Sequence, residues 1–104
     1  MISHADQQIG RVVQKLKDIG EYENTLIVFA GDNGLAVGQH GLMGKQSLYD
    51  HSIRVPLVFS GPGVPENARA DTLCYLLDIF PTLCDYLDIG LPDSVDGMSL
   101  APAF

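Results

Sequence analysis

Tryptophan is absent from this sequence, and basic residues are scarce. Six Lys and Arg stand against 13 Asp and Glu, a formal net charge of −7. Nucleic-acid phosphates demand a basic face, so this balance argues against a nucleic-acid partner. It argues equally against an anionic membrane surface. No apolar run approaches the roughly 20 residues that span a bilayer. The first residues are amphipathic and include Asp6, which predicts no signal peptide at Met1. The two cysteines, Cys74 and Cys84, form no CxxC pair, and no histidine stands at zinc-ligand spacing from them. Both fall within or beside an apolar helical stretch and read as buried thiols acting as small hydrophobes. The motifs GxSxG, GxxxxGK[ST] and HExxH are missing, and Ser47 and Ser52 have no visible base partner.

What is present suits one globular domain over residues 1–104, with 46% hydrophobic and 18% charged residues. Ala5, Ile9, Val12, Val13, Leu16 and Ile19 recur at three- and four-residue spacing, which predicts a helix over 3–19. Ser3 with Asp6 fits a capping box, and Gly20 fits the left-handed position that closes a helix. Residues 25–30 (TLIVFA) and 55–60 (VPLVFS) are short β-branched and aromatic runs, predicting strands buried on both faces as in a helix-covered parallel sheet. Residues 70–77 are a short strand or an extended lead-in. A second helix is expected from Asp78 to Gly90, with Pro81 in its first turn, and the tail after Leu91 reads as irregular. The order helix, strand, loop, strand, helix indicates an α/β fold, with a three-layer sandwich as its natural packing.

Residues 31–49 (GDNGLAVGQHGLMGKQSLY) differ from the rest, holding five of the 11 glycines. Such glycines allow tight turns or close backbone approach to a ligand. The segment follows the first strand, and in open α/β sheets the ligand crevice lies outside the carboxyl ends of the strands. Asp32 and Asn33 are therefore placed at that mouth, where adjacent carboxylate and amide oxygens suit a hard cation such as calcium. Asp-Asn-Gly is equally a common turn. Lys45 offers a compact charge for one oxygen of a sulfate or phosphate, or is a solvated surface lysine. His40 fits a proton donor, a supporting group or a hydrogen-bonded structural histidine. An acidic protein handling an anionic substrate needs such local cations to offset its own field.

The order and spacing of these segments resemble type I sulfatases of the alkaline-phosphatase-like superfamily, in the C-terminal part of the catalytic domain. ADQQIGRVVQKLKDIGEYENTLIVFAGDNG looks like that family's helix, strand entry and metal-ligand turn. GQHGLMGKQSLYDHSIRVPLVFSGPGV resembles its active-site lysine segment, and LLDIFPTLCDYLDIGLP with DGMSLAPAF its closing pattern. The resemblance implies a partial alkaline-phosphatase-like sandwich, with helices packed on a mostly parallel sheet. It implies that Asp32 and Asn33 are the second pair of metal ligands, binding calcium in an incomplete site. Lys45 then contacts the substrate's sulfate group, with His40 in a supporting role. The family nucleophile is a C/S-x-P-x-R cysteine or serine oxidised to formylglycine. Cys74 is followed by Tyr-Leu-Leu and Cys84 by Asp-Tyr-Leu, so neither fits.

The expected function is thus a portion of a sulfuric ester hydrolase acting on carbohydrate or aryl sulfates, inactive by itself. A phosphodiesterase or phosphonate hydrolase of the same superfamily is the enzymatic alternative, and Asn33 in place of histidine leans towards calcium and sulfatases. A non-catalytic module that self-associates through exposed sheet surface is the third reading. The compartment (periplasmic, secreted or lysosomal for the parent) is not fixed by these residues.

Overall fold

A computed structural model describes residues 1–104. It divides into two compact units, one of Met1–Phe29 with Leu57–Val64, the other of Ala30–Pro56 with Pro65–Phe104.

In the first unit the 3.6-residue periodicity forms helix α1, Ile2–Asp18. The expected Ser3–Asp6 capping box is not made: the helix starts at Ile2, behind Met1, and no side chain caps it. Ser3 therefore already lies in the first turn, past the cap position from which a hydroxyl reaches the free amides. The other end closes as expected, with Gly20 at φ +75° and its amide donating to Lys17 O at 3.1 Å. Lys17 Nζ lies 4.7 Å from the Tyr22 ring centroid, a cation–π contact at the same end. Val13 and Leu16 are half-buried, whereas Ile9, Val12 and Ile19 stay exposed and no α1 residue is fully buried.

Strands β1 (Ile27–Ala30) and β4 (Leu57–Ser60) are hydrogen-bonded neighbours. They are not buried on both faces as their apolar runs suggested. In β4 Leu57 and Phe59 are half-buried while Val58 and Ser60 are exposed, and in β1 Phe29 and Ala30 are exposed. The alternation in β4 is what a strand with one covered face shows. Just past β4, Gly61 packs so closely on the Thr25 carbonyl that a Cβ there would lie 2.7 Å from its oxygen.

The second unit holds every fully buried residue: Ala36, Ser52, Asp78, Pro81, Thr82 and Cys84. The glycine-rich segment is more ordered than its composition suggested. Strands β2 (Ala36–Val37) and β3 (Met43–Gly44) pair antiparallel, Ala36 opposite Gly44 and Val37 opposite Met43. Gly38, at φ +105°, starts the connecting 3-10 turn Gln39–Gly41, and its amide donates to Leu42 O. A single-turn helix, α2 (Asp50–Ile53), follows. Residues 70–75 form no strand. Cys74 is exposed rather than buried, because it lies in that lead-in and not in the helix; Cys84 is buried, and both thiols are free.

Helix α3 (Ile79–Tyr86) starts behind Asp78 with Pro81 in its first turn, as expected. It stops short of Gly90 because Asp88 turns left-handed at φ +53°. Asp78 also acts as a clip. Its carboxylate accepts the Tyr75 amide at 2.7 Å and the Met98 amide at 2.9 Å. One turn on, the buried Thr82 Oγ1 donates to Asp78 O at 2.6 Å and accepts from the Leu100 amide at 2.8 Å. Ser99 Oγ donates to Asp85 Oδ2 at 2.5 Å. The closing tail is thereby pinned along α3 by side chains that its own sequence pattern supplies.

Candidate functional site

The chain leaves β1 through Gly31 into the Asp32–Asn33 turn, which hydrogen bonds anchor on both sides. The Gly31 amide donates to Pro56 O at 3.0 Å and the Gly34 amide to Ser52 O at 2.9 Å. Gly34 sits so tightly on α2 that an added Cβ would fall inside the His51 carbonyl oxygen. This is close approach of backbone to backbone, the use of glycine that its missing side chain permits. Asp32 and Asn33 themselves remain exposed. Asn33 Nδ2 donates to Gly34 O at 2.7 Å, which leaves Oδ1 as the amide's donor to a cation.

The β2–β3 ribbon turns the chain back on itself. In its register Lys45 stands one step beyond the Ala36–Gly44 pair, across from Leu35, and it is exposed. Two residues later Ser47 Oγ lies 2.8 Å from Ser52 Oγ and 3.0 Å from His51 Nε2. Ser52 is 2% exposed. Its carbonyl holds the Asp32–Gly34 turn and its hydroxyl holds the Lys45–Ser47 segment. Neither the Ser47–His51 contact nor the role of Ser52 was visible in the sequence. The signal was the four-residue interval from Ser47 to His51, which becomes a contact only because the chain turns into α2 between them.

His40 adopts φ +55°, ψ +22°, a left-handed conformation rare for residues with a Cβ. Its ring stacks on Tyr49, centroids 4.3 Å apart and planes 17° from parallel. His51 lies 5.8 Å from His40 and 5.7 Å from Tyr49. His4 belongs to α1.

The donor set fits a hard cation in part. Carboxylate and amide oxygens are the ligands calcium prefers, but it takes six to eight of them. No group of three or more His, Cys, Asp or Glu side chains converges in this chain. Asp32 and Asn33 therefore fit a calcium ion only where further oxygens are contributed from beyond these two residues.

A family model described as Sulfatase matches residues 1–89. The chain belongs to the sulfatase family. Arylsulfatase K of Bos taurus is 32% identical over 103 residues, covering 99% of this chain and 19% of that protein. A solved structure described as a complex with its substrate D-glucosamine-2-N,6-O-disulfate superposes with a TM-score of 0.91. It is 31% identical and matches 97% of this chain and 21% of its own. A phosphonate monoester hydrolase of Agrobacterium radiobacter gives 0.87 at 42% identity, over 98% of this chain and 21% of its own. This sulfatase-family chain thus carries part of an alkaline-phosphatase-like fold, and spans about a fifth of the length of the relatives it matches.

Proposed function

We propose that this sulfatase-family chain supplies one side of the active site of a sulfuric ester hydrolase acting on carbohydrate or aryl sulfates. Asp32 Oδ and Asn33 Oδ1 hold a calcium ion together with ligands from elsewhere in the enzyme. Lys45 Nζ donates to an oxygen of the sulfate group, and His40 supports the loop beside it. Calcium bound there would polarise the transferring group and offset its charge. The chain's own contribution is orientation and cationic stabilisation of developing charge. In the intact fold, β1 and β4 belong to a mostly parallel sheet of a three-layer sandwich and residues 1–104 lie within one domain; in the isolated chain, the uncovered sheet surface drives self-association.

The observation that carries this reading is the shared anchor on α2. Ser52 binds the Asp32–Gly34 turn through its carbonyl and the segment following Lys45 through its hydroxyl. A common support for the turn carrying two oxygen donors and for the segment following one ammonium is what an anion site with its counter-cation needs. In an intact enzyme containing this segment, Asp32→Ala and Lys45→Ala should each lower kcat/KM for a sulfate ester by roughly 10²-fold or more, the usual scale for losing one transition-state stabiliser. Full activity in Lys45→Ala would overturn the assignment. The isolated 104-residue chain contains no C/S-x-P-x-R nucleophile, so it should show no turnover.

A phosphonate or phosphodiester substrate is the second reading, favoured by the 42% identity to a phosphonate monoester hydrolase. Comparing kcat/KM for aryl sulfate and aryl phosphonate esters separates the two.

A further inference from the structure

Three aromatic rings, His40, Tyr49 and His51, cluster beside the proposed anion site. The centroid distances of 4.3, 5.7 and 5.8 Å describe a triangle, not a sandwich. A ring sandwiched between two others would put the outer pair about twice the stacking distance apart. His51 therefore stands at the side of the His40–Tyr49 stack, nearly equidistant from both, and leaves each of them an outer face. Tyr49 is 51% exposed, and His40 is exposed as well.

The cluster is built and held. His51 Nε2 is hydrogen-bonded to Ser47 Oγ, which the buried Ser52 hydroxyl fixes in turn. His40 is kept in a left-handed backbone conformation between Gly38 and Gly41, a strain of about 1 kcal/mol or more that persists only where surroundings impose it. The cluster also adjoins both halves of the anion site. The His51 backbone packs directly on Gly34, next to Asn33, and its side chain binds Ser47, two residues from Lys45. An exposed, pre-ordered aromatic face beside an anion site has a definite use: it stacks on the flat, weakly polar face of a ring that carries the anionic group.

We infer that His40, Tyr49 and His51 form the subsite for the ring of the ester's alcohol portion, selecting ring-bearing over acyclic sulfate esters. This rests on the reading of Lys45 as the sulfate contact. An aromatic and a pyranose ring share the face chemistry that the cluster recognises, and both belong to the predicted class. Tyr49 is the specificity-determining member, because its ring has the largest π-face and stands half in solvent.

The test is an NMR titration of the 104-residue chain with methyl sulfate, 4-nitrophenyl sulfate and glucosamine 6-sulfate, following the histidine Cε1–H, Tyr49 ring and Lys45 Cε signals. At least one ring-bearing ester should bind roughly five-fold more tightly than methyl sulfate, the scale of one aromatic stacking contact. It should shift the His40, Tyr49 and His51 signals, whereas methyl sulfate shifts Lys45 alone. Which of the two ring esters gains identifies the source. Tyr49→Leu, at a half-exposed position, should abolish the preference. Equal affinities, a preference that survives Tyr49→Leu, or no binding of either ring ester would overturn the inference. Failure of the underlying reading is distinct: ring-dependent binding would persist while Lys45→Ala left all three affinities unchanged.

Discussion

Asp78 illustrates how much one side chain settles. Its carboxyl titrates below the ordinary value of 3.8, first because the Met98 amide donates to it and then because the Tyr75 amide does, with desolvation opposing both. A carboxyl held below its unfolded value stabilises the fold at any pH above that unfolded value. The stabilisation is then lost as pH falls below about 4 and through the lower folded value. Acid should therefore release the tail before it disturbs α3, and Asp78→Asn should flatten this part of the pH–stability curve. Circular dichroism melts between neutral and acid pH check it, and an unchanged acid limb in the variant would contradict it. Thr82 offers a test without charge. It is fully buried and joins Asp78 O to the Leu100 amide. Thr82→Ala leaves a part-buried donor without its acceptor and should cost about 1–3 kcal/mol in chemical denaturation.

Among the elements, α1 was legible because 17 residues give the helical period several turns to declare itself. Strands β1 and β4 were legible as apolar runs, though their degree of burial was not, since continuous hydrophobicity reports what could be covered and not what covers it. The β2–β3 ribbon was not legible: each strand has two residues, too few for alternation to show. Helix α2, with four residues, escaped for the same reason, and with it went the Ser47–His51 contact. Asp32, Asn33 and Lys45 stood out through a family pattern that covers the whole stretch, whereas Tyr49 and His51 carried no pattern of their own. The tightest point between elements is Gly34 against α2. Gly34→Ala pushes a methyl into the His51 carbonyl, breaks the Gly34–Ser52 bond and should destabilise the second unit by about 2 kcal/mol, the usual scale of overpacking. An unchanged denaturation midpoint would show that α2 moves freely.

For the molecule as a whole, the deciding feature is apolar surface without cover. Ile2, Leu48 and Leu73 are 88%, 88% and 99% exposed, and no residue of the first unit is fully buried. Folded monomers rarely present contiguous apolar patches of more than a few hundred Å². The net charge of −7 opposes association through mutual repulsion, which salt screens. Sedimentation of the 104-residue chain should therefore show a mass that rises with concentration and rises further with added salt. A monomer at all concentrations that binds no hydrophobic dye would contradict this.

If Asp32, Asn33 and Lys45 share one site, a paramagnetic cation bound there reaches all three. Manganese takes the same carboxylate and carbonyl oxygens as calcium, and it broadens nearby NMR signals steeply with distance. Titrated into an intact enzyme that contains this segment and supplies the remaining oxygens, it should broaden Asp32, Asn33, Gly34 and Ser52 together with the Lys45 side chain. Excess calcium or Asp32→Ala should reverse the effect. Broadening centred on other carboxylates, with Lys45 sharp throughout, would show that the three residues do not share a site.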